Sequence, residues 1–91
     1  MVIVLKRSGK KQAFSKAKLE RVIRKALKEG NVTGKKASDI TKEIADGVTK
    51  SIKRKRVVKA VKIREMALGR LERRSKAAAT AWKRYDKKKK R

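Results

Sequence analysis

The chain reads as an α+β domain with its elements in the order ββααβαα, and three observations predict this. A β-branched run from Val2 to Leu5 is followed, across a Ser8-Gly9 turn, by a second extended segment from Lys10 to Phe14. Apolar residues then recur at helical spacing in four separate stretches. A valine cluster, Val57, Val58 and Val61, interrupts those stretches between the second and the third.

The first two strands form a hairpin, because Gly9 accepts the positive φ that a tight turn requires. Phe14 is the apolar anchor of the returning strand and is expected in the core. Ser15 is placed as the N-cap of the first helix. On it Leu19, Val22, Ile23, Ala26 and Leu27 fall at i, i+3, i+4, i+7 and i+8, one apolar stripe. Glu29-Gly30-Asn31 supplies a glycine stop. Thr33 to Lys36 reads as a loop. The second helix carries Ile40, Ile44, Val48 and Ile52 at steps of four, with Ser38 or a neighbour as its cap.

Lys53-Arg54-Lys55-Arg56 ends that helix in four cations, which complement the dipole's negative end and repel one another. The valine cluster follows as a third strand. A third helix begins near Ile63 and buries Ile63, Ala67, Leu71 and Met66. Ser75 caps a fourth helix, on which Ala78, Ala81, Trp82 and Tyr85 form the stripe. Residues 1–86 make one domain, and Lys87 to Arg91 form a basic tail expected to fray.

Charge dominates the composition. Of the 91 residues, 32 are Lys or Arg and eight are Asp or Glu, a net charge of +24. Self-repulsion on that scale opposes a compact state, so a polyanionic partner is expected. Regular apolar spacing argues against a disordered basic tail. With no Cys and no His, disulfides, thiolate or imidazole metal sites and histidine acid–base chemistry are excluded. The apolar start ends at Lys6, too short for a signal peptide or a bilayer span. Few side-chain amides beside abundant Lys, Arg and Glu match a thermophile's composition. No P-loop is present, and Ser15 with Lys18 reads as a cap beside a cation, so no catalysis is expected.

The order of elements and particular residues resemble the ATP-cone family. Its opening, V-x-K-R-D-G-x-x-E-x-F, stands here as Val4-Leu5-Lys6-Arg7-Ser8-Gly9-Lys10-Lys11-Gln12-Ala13-Phe14, and Lys18-Leu19-Glu20-Arg21-Val22-Ile23 matches its first helix. Ala37-Ser38-Asp39-Ile40 stands at its T-S-x-x-I element. Ala79-Thr80-Ala81-Trp82-Lys83-Arg84-Tyr85 stands at its closing A-x-A-Y-x-x-Y-R. The resemblance implies a four-helix bundle capped by a small three-stranded sheet, which binds ATP or dATP and regulates an attached partner. It carries Lys6, Arg7 and Lys18 over as phosphate-binding cations. Gln12 replaces the family's Glu, Ser15 an Asn, Ala37 a Thr and Ser8 the turn Asp, so anion binding carries over better than adenine specificity.

The leading expectation is a non-enzymatic nucleic-acid-binding protein, ribosomal or ribosome-associated, gripping structured rRNA through its phosphates. The candidate contacts are Lys53, Arg54, Lys55, Arg56, Lys59, Arg73, Arg74, Lys83, Arg84 and the run Lys87, Lys88, Lys89, Lys90 and Arg91. Most charge runs are merely solvated, but here acids do not balance them. rRNA is favoured over DNA, ribosomal proteins are further neighbours, no membrane is involved, and the place is cytoplasmic, on the ribosome or nucleoid. No cofactor is expected unless the nucleotide pocket is retained. The alternatives are an ATP- or dATP-binding regulatory module and a DNA-coating chromatin protein.

Overall fold

The computed structural model describes the backbone of residues 2–89 and the side chains of residues 2–84. Two short strands, β1 (Ile3–Leu5) and β2 (Lys11–Ala13), form the expected antiparallel hairpin, with Ile3 opposite Ala13 and Leu5 opposite Lys11. The Lys6 N–H donates to the Lys10 carbonyl at 2.8 Å, and the Gly9 N–H returns to the Lys6 carbonyl at 2.9 Å. Gly9 holds φ at 88°, the left-handed value for which its missing Cβ suits it.

The first helix, α1 (Lys16–Glu29), starts where Ser15 Oγ accepts from the Lys18 N–H at 3.3 Å. Its end differs from the glycine stop expected. Gly30 has an ordinary φ of −86°, and Asn31 takes the left-handed turn at 65°. Gly30 serves a different need, because a Cβ there would lie 2.6 Å from the Ala78 backbone nitrogen. The chain thus spends its glycine on close helix approach and leaves the turn to Asn, which tolerates it.

The second helix, α2 (Gly34–Ile52), begins earlier than the loop expected through Lys36, and Ser38 lies inside it. Thr33 occupies the cap position without a side-chain cap bond. The third strand, β3 (Val57–Lys59), runs parallel to β1 with Ile3 beside Val57 and Leu5 beside Lys59, giving the sheet order β2-β1-β3. Val61 is not in that strand. β1 has no residue left to pair beyond Leu5, so the chain turns at once into α3 (Ala60–Arg74), ahead of Ile63. The last helix, α4 (Lys76–Lys89), is capped as expected, the Ala78 N–H donating to Ser75 Oγ at 3.2 Å. Its helical backbone includes Lys87, Lys88 and Lys89. Lys90 and Arg91, and the side chain of Tyr85 expected in the α4 stripe, lie outside the described residues.

The helices pack in a closed ring, α1 on α2, α2 on α3, α3 on α4 and α4 on α1. The core inside it takes Leu19, Ile23 and Leu27 from α1, and Ile40, Ile44, Val48 and Ile52 from α2. Ile63, Ala67 and Leu71 come from α3, and Ala78, Ala79 and Trp82 from α4. The mixed sheet adds buried Val58, with Val2 and Val4 packed against the cluster. The α+β class and its order therefore stand as read. Phe14 and Met66 are half-buried against the core. Val22 is the exception on the α1 stripe: it is 41% exposed.

Candidate functional site

Lys6 and Lys18 are brought together by the fold. They line one open cleft of about 360 Å³ between the inner face of the sheet and the first turns of α1 and α3. A cleft of that size is within the range of small-ligand sites. The hairpin supplies Val4, Gln12 and, at its turn, Lys6; α1 supplies Lys18, Leu19 and Val22, with Ser15 at its cap; α3 supplies Ala60 and Ile63.

The electrostatics of this cleft follow from the elements that build it. Helix N-termini carry unpaired N–H groups and the positive end of the macrodipole, and so favour anions. Two such ends open here. Neither α1 nor α3 has an acid in its first turn, and Lys59, which precedes α3, makes no side-chain cap bond. Lys6 and Lys18 add two full charges at the same place. The apolar wall of Val4, Leu19, Val22 and Ile63 is suited to a flat, weakly polar group. The arrangement can bind an anion joined to a planar apolar body.

Arg7 does not join them. It sits exposed in the hairpin turn, outside the residues lining the cleft. Ala37, at the position of the family's Thr, is buried in the first turn of α2 and also lies outside the lining. Gln12 and Ser15 do line it. Val22 belongs to the cleft as well as to the stripe, which sequence reasoning missed. Five apolar residues at helical spacing look like one buried face, and nothing local says which of them the sheet leaves uncovered.

The candidate nucleic-acid contacts divide into two groups. Lys53, Arg54, Lys55 and Arg56 occupy the turn between α2 and β3, all exposed, and Lys59 ends β3 beside them. Arg73 and Arg74 end α3, about 20 Å along the helix from Lys59. Arg74 meets Glu43 at 3.5 Å, and Lys83 on α4 meets Glu72 at 3.0 Å, while Arg84 is exposed. Lys87, Lys88 and Lys89 continue α4 as backbone, and their side chains lie outside the described residues. Among the described residues, the candidates thus fall into one group at the sheet end and another where α3 ends beside α4.

Elsewhere, Lys16 on α1 donates to Asp46 on α2, and that hydrogen bond holds the Asp46 carboxyl below its ordinary range and the Lys16 ammonium above it. Among the described residues, no group of acids could hold a metal ion, and no helix is long and apolar enough to cross a membrane.

The family model of the ATP cone domain matches residues 2–91, essentially the whole chain. No curated protein matches the sequence. The hairpin, the lysine at its turn, the cleft beneath the sheet and the ring of four helices lie within that match: the chain belongs to the ATP-cone family.

Proposed function

We propose that this protein is a non-enzymatic, nucleotide-binding regulatory module that takes ATP or dATP into the cleft between the sheet and the N-termini of α1 and α3. The observation that carries this reading is the convergence of two helix N-termini and two lysines, Lys6 and Lys18, beside an apolar wall. The phosphates lie toward the lysines and the helix ends, and the base lies against Val22, Leu19 and Ile63. Gln12, an amide where the family has a carboxylate, keeps a polar group at the cleft without adding a negative charge. Arg7 has no part in this assignment.

Titration calorimetry of the chain with ATP tests it. The expected result is saturable binding at physiological salt, weakened about tenfold or more by Lys18→Ala and by Lys6→Ala, the loss of one charge-assisted hydrogen bond each. Both variants melt no lower than wild type, because neither lysine is buried. No saturable binding at millimolar ATP overturns the reading.

A second reading is favoured by one observation, the net charge of +24. In it the protein meets a nucleic acid through phosphate contacts, structured rRNA ahead of DNA, on the ribosome or nucleoid with ribosomal proteins as neighbours. Crosslinking in native cells separates its forms: contacts at a few rRNA positions support the ribosomal role, and diffuse DNA contacts support a chromatin coat.

A further inference from the structure

We infer that the outer face of the sheet is a docking surface for the sugar-phosphate backbone of folded, double-stranded RNA. This rests on the second reading above and gives it a place. Strand alternation divides the sheet between two faces. Val4 and buried Val58 turn to the core, whereas Ile3 and Leu5 are half-buried without packing against it, and Val57 is 49% exposed. The register sets Ala13, Ile3 and Val57 in one lateral row, and Lys11, Leu5 and Lys59 in the next.

Cations stand on both sides of that apolar row along the strand direction. The turn of Lys53 to Arg56 leads into β3 at one end, and the Arg56 carbonyl accepts from the Ile3 N–H at 2.8 Å. Lys11, Lys59 and the hairpin turn lie at the other, about 10 Å away along strands of three residues. The segments that build this end, residues 1–15 and 53–62, hold ten Lys or Arg and no acid.

Charge complementarity selects the occupant. The molecule's longest extent is 34 Å, a length over which a DNA duplex presents about 20 phosphates and an RNA duplex a comparable number. Two cation banks flanking a flat apolar strip suit two phosphate strands on either side of a wide, shallow groove. That is the minor groove of A-form RNA, whereas reading the B-DNA major groove needs a protruding helix or ribbon. The described part of the face carries no aromatic side chain, so it is not a stacking platform for single strands.

Fluorescence anisotropy with a mixed-sequence 20-base-pair RNA duplex, across a potassium chloride series, tests the placement on the full chain. The variant Arg54→Ala/Arg56→Ala/Lys59→Ala is set against Lys35→Ala/Lys36→Ala/Lys42→Ala on α2, which removes the same charge, and melting curves check that both fold. The sheet-end variant is expected to lose about tenfold or more in affinity, with the log–log salt slope reduced by about 2.7. The α2 variant is expected to lose less than about threefold. Equal losses overturn the placement while the nucleic-acid reading stands. No binding by the wild-type chain at physiological salt overturns both. A DNA duplex of the same sequence that binds equally well, and loses equally in the sheet-end variant, overturns the commitment to RNA. ATP titration of the same variants reports separately on the cleft.

Discussion

The sheet end and the helical ring of this protein solve the same problem of excess charge in opposite ways. In the ring, acids are interleaved with cations and join neighbouring helices: Lys16 with Asp46, Arg74 with Glu43, and Lys83 with Glu72. The segments of the sheet end hold ten cations and no acid. Exposed pairs of this kind contribute little stability each, so the acids in the ring act mainly by lowering local repulsion. Where they are missing, that repulsion is not offset locally. The difference teaches that the core and the unbalanced charge are spatially separated here: the ring holds the core, and both the cleft proposed for the nucleotide and the proposed docking face belong to the sheet end.

That separation can be broken first through the core. Ile44→Ala, at a fully buried α2 position, is expected to cost about 2–5 kcal/mol, a large share of the stability of a domain this size. Chemical denaturation measures it, and a cost like that of a surface substitution would place the core elsewhere. Next comes Gly30→Ala, whose new methyl meets the α4 backbone at Ala78. About 1–3 kcal/mol is expected, since backbone cannot step aside. Gly47→Ala is the matched control: the nearest atoms its Cβ would meet belong to the guanidinium of Arg70, a flexible side-chain end, so the cost is small.

Removing sheet-end charge sharpens the comparison from the other side. Arg54→Ala with Arg56→Ala is expected to raise the melting temperature by about 2 °C at low salt, and the gain shrinks as salt screens the repulsion. A drop at all salt concentrations would show that these arginines support the fold. The smallest effect belongs to Asp46→Asn. The folded Asp46 pKa is lowered by its Lys16 hydrogen bond, so the pair's stabilisation is present above the ordinary carboxylate range and fades as the pH falls through it. The Lys16 pKa is raised, so the same stabilisation also fades as the pH rises through the lysine range. Thermal melts of wild type and Asp46→Asn should therefore differ slightly near neutrality and converge in acid.

Much of this was legible along the chain. Helical spacing located all four helices, and Ser15 and Ser75 marked two starts by their capping hydroxyls. The misplacements have physical causes. Val61 is β-branched and follows two strand valines, but a strand ends where its partner ends, and β1 stops at Leu5. Gly30 looked like a turn residue, yet its missing side chain is required by α4, 48 residues away. Lys6 and Lys18 were named from the family motif. That they share a cleft with the N-terminus of α3, and that Arg7 does not, depends on how the parallel β1–β3 pairing seats α3 beside α1.

By itself, the sequence determined the class, the order of elements, the apolar stripes and the excess of positive charge. These depend on local periodicity and on total charge, which need no knowledge of neighbours in space. The tertiary structure alone decided which residue of the α1 stripe opens onto the cleft and which valines leave the core. It also divided the cations into a group held among acids on the helices and a group left without acids around the sheet. Those outcomes depend on pairing between residues more than 40 positions apart, such as Ile3 with Val57, and no local pattern carries that information.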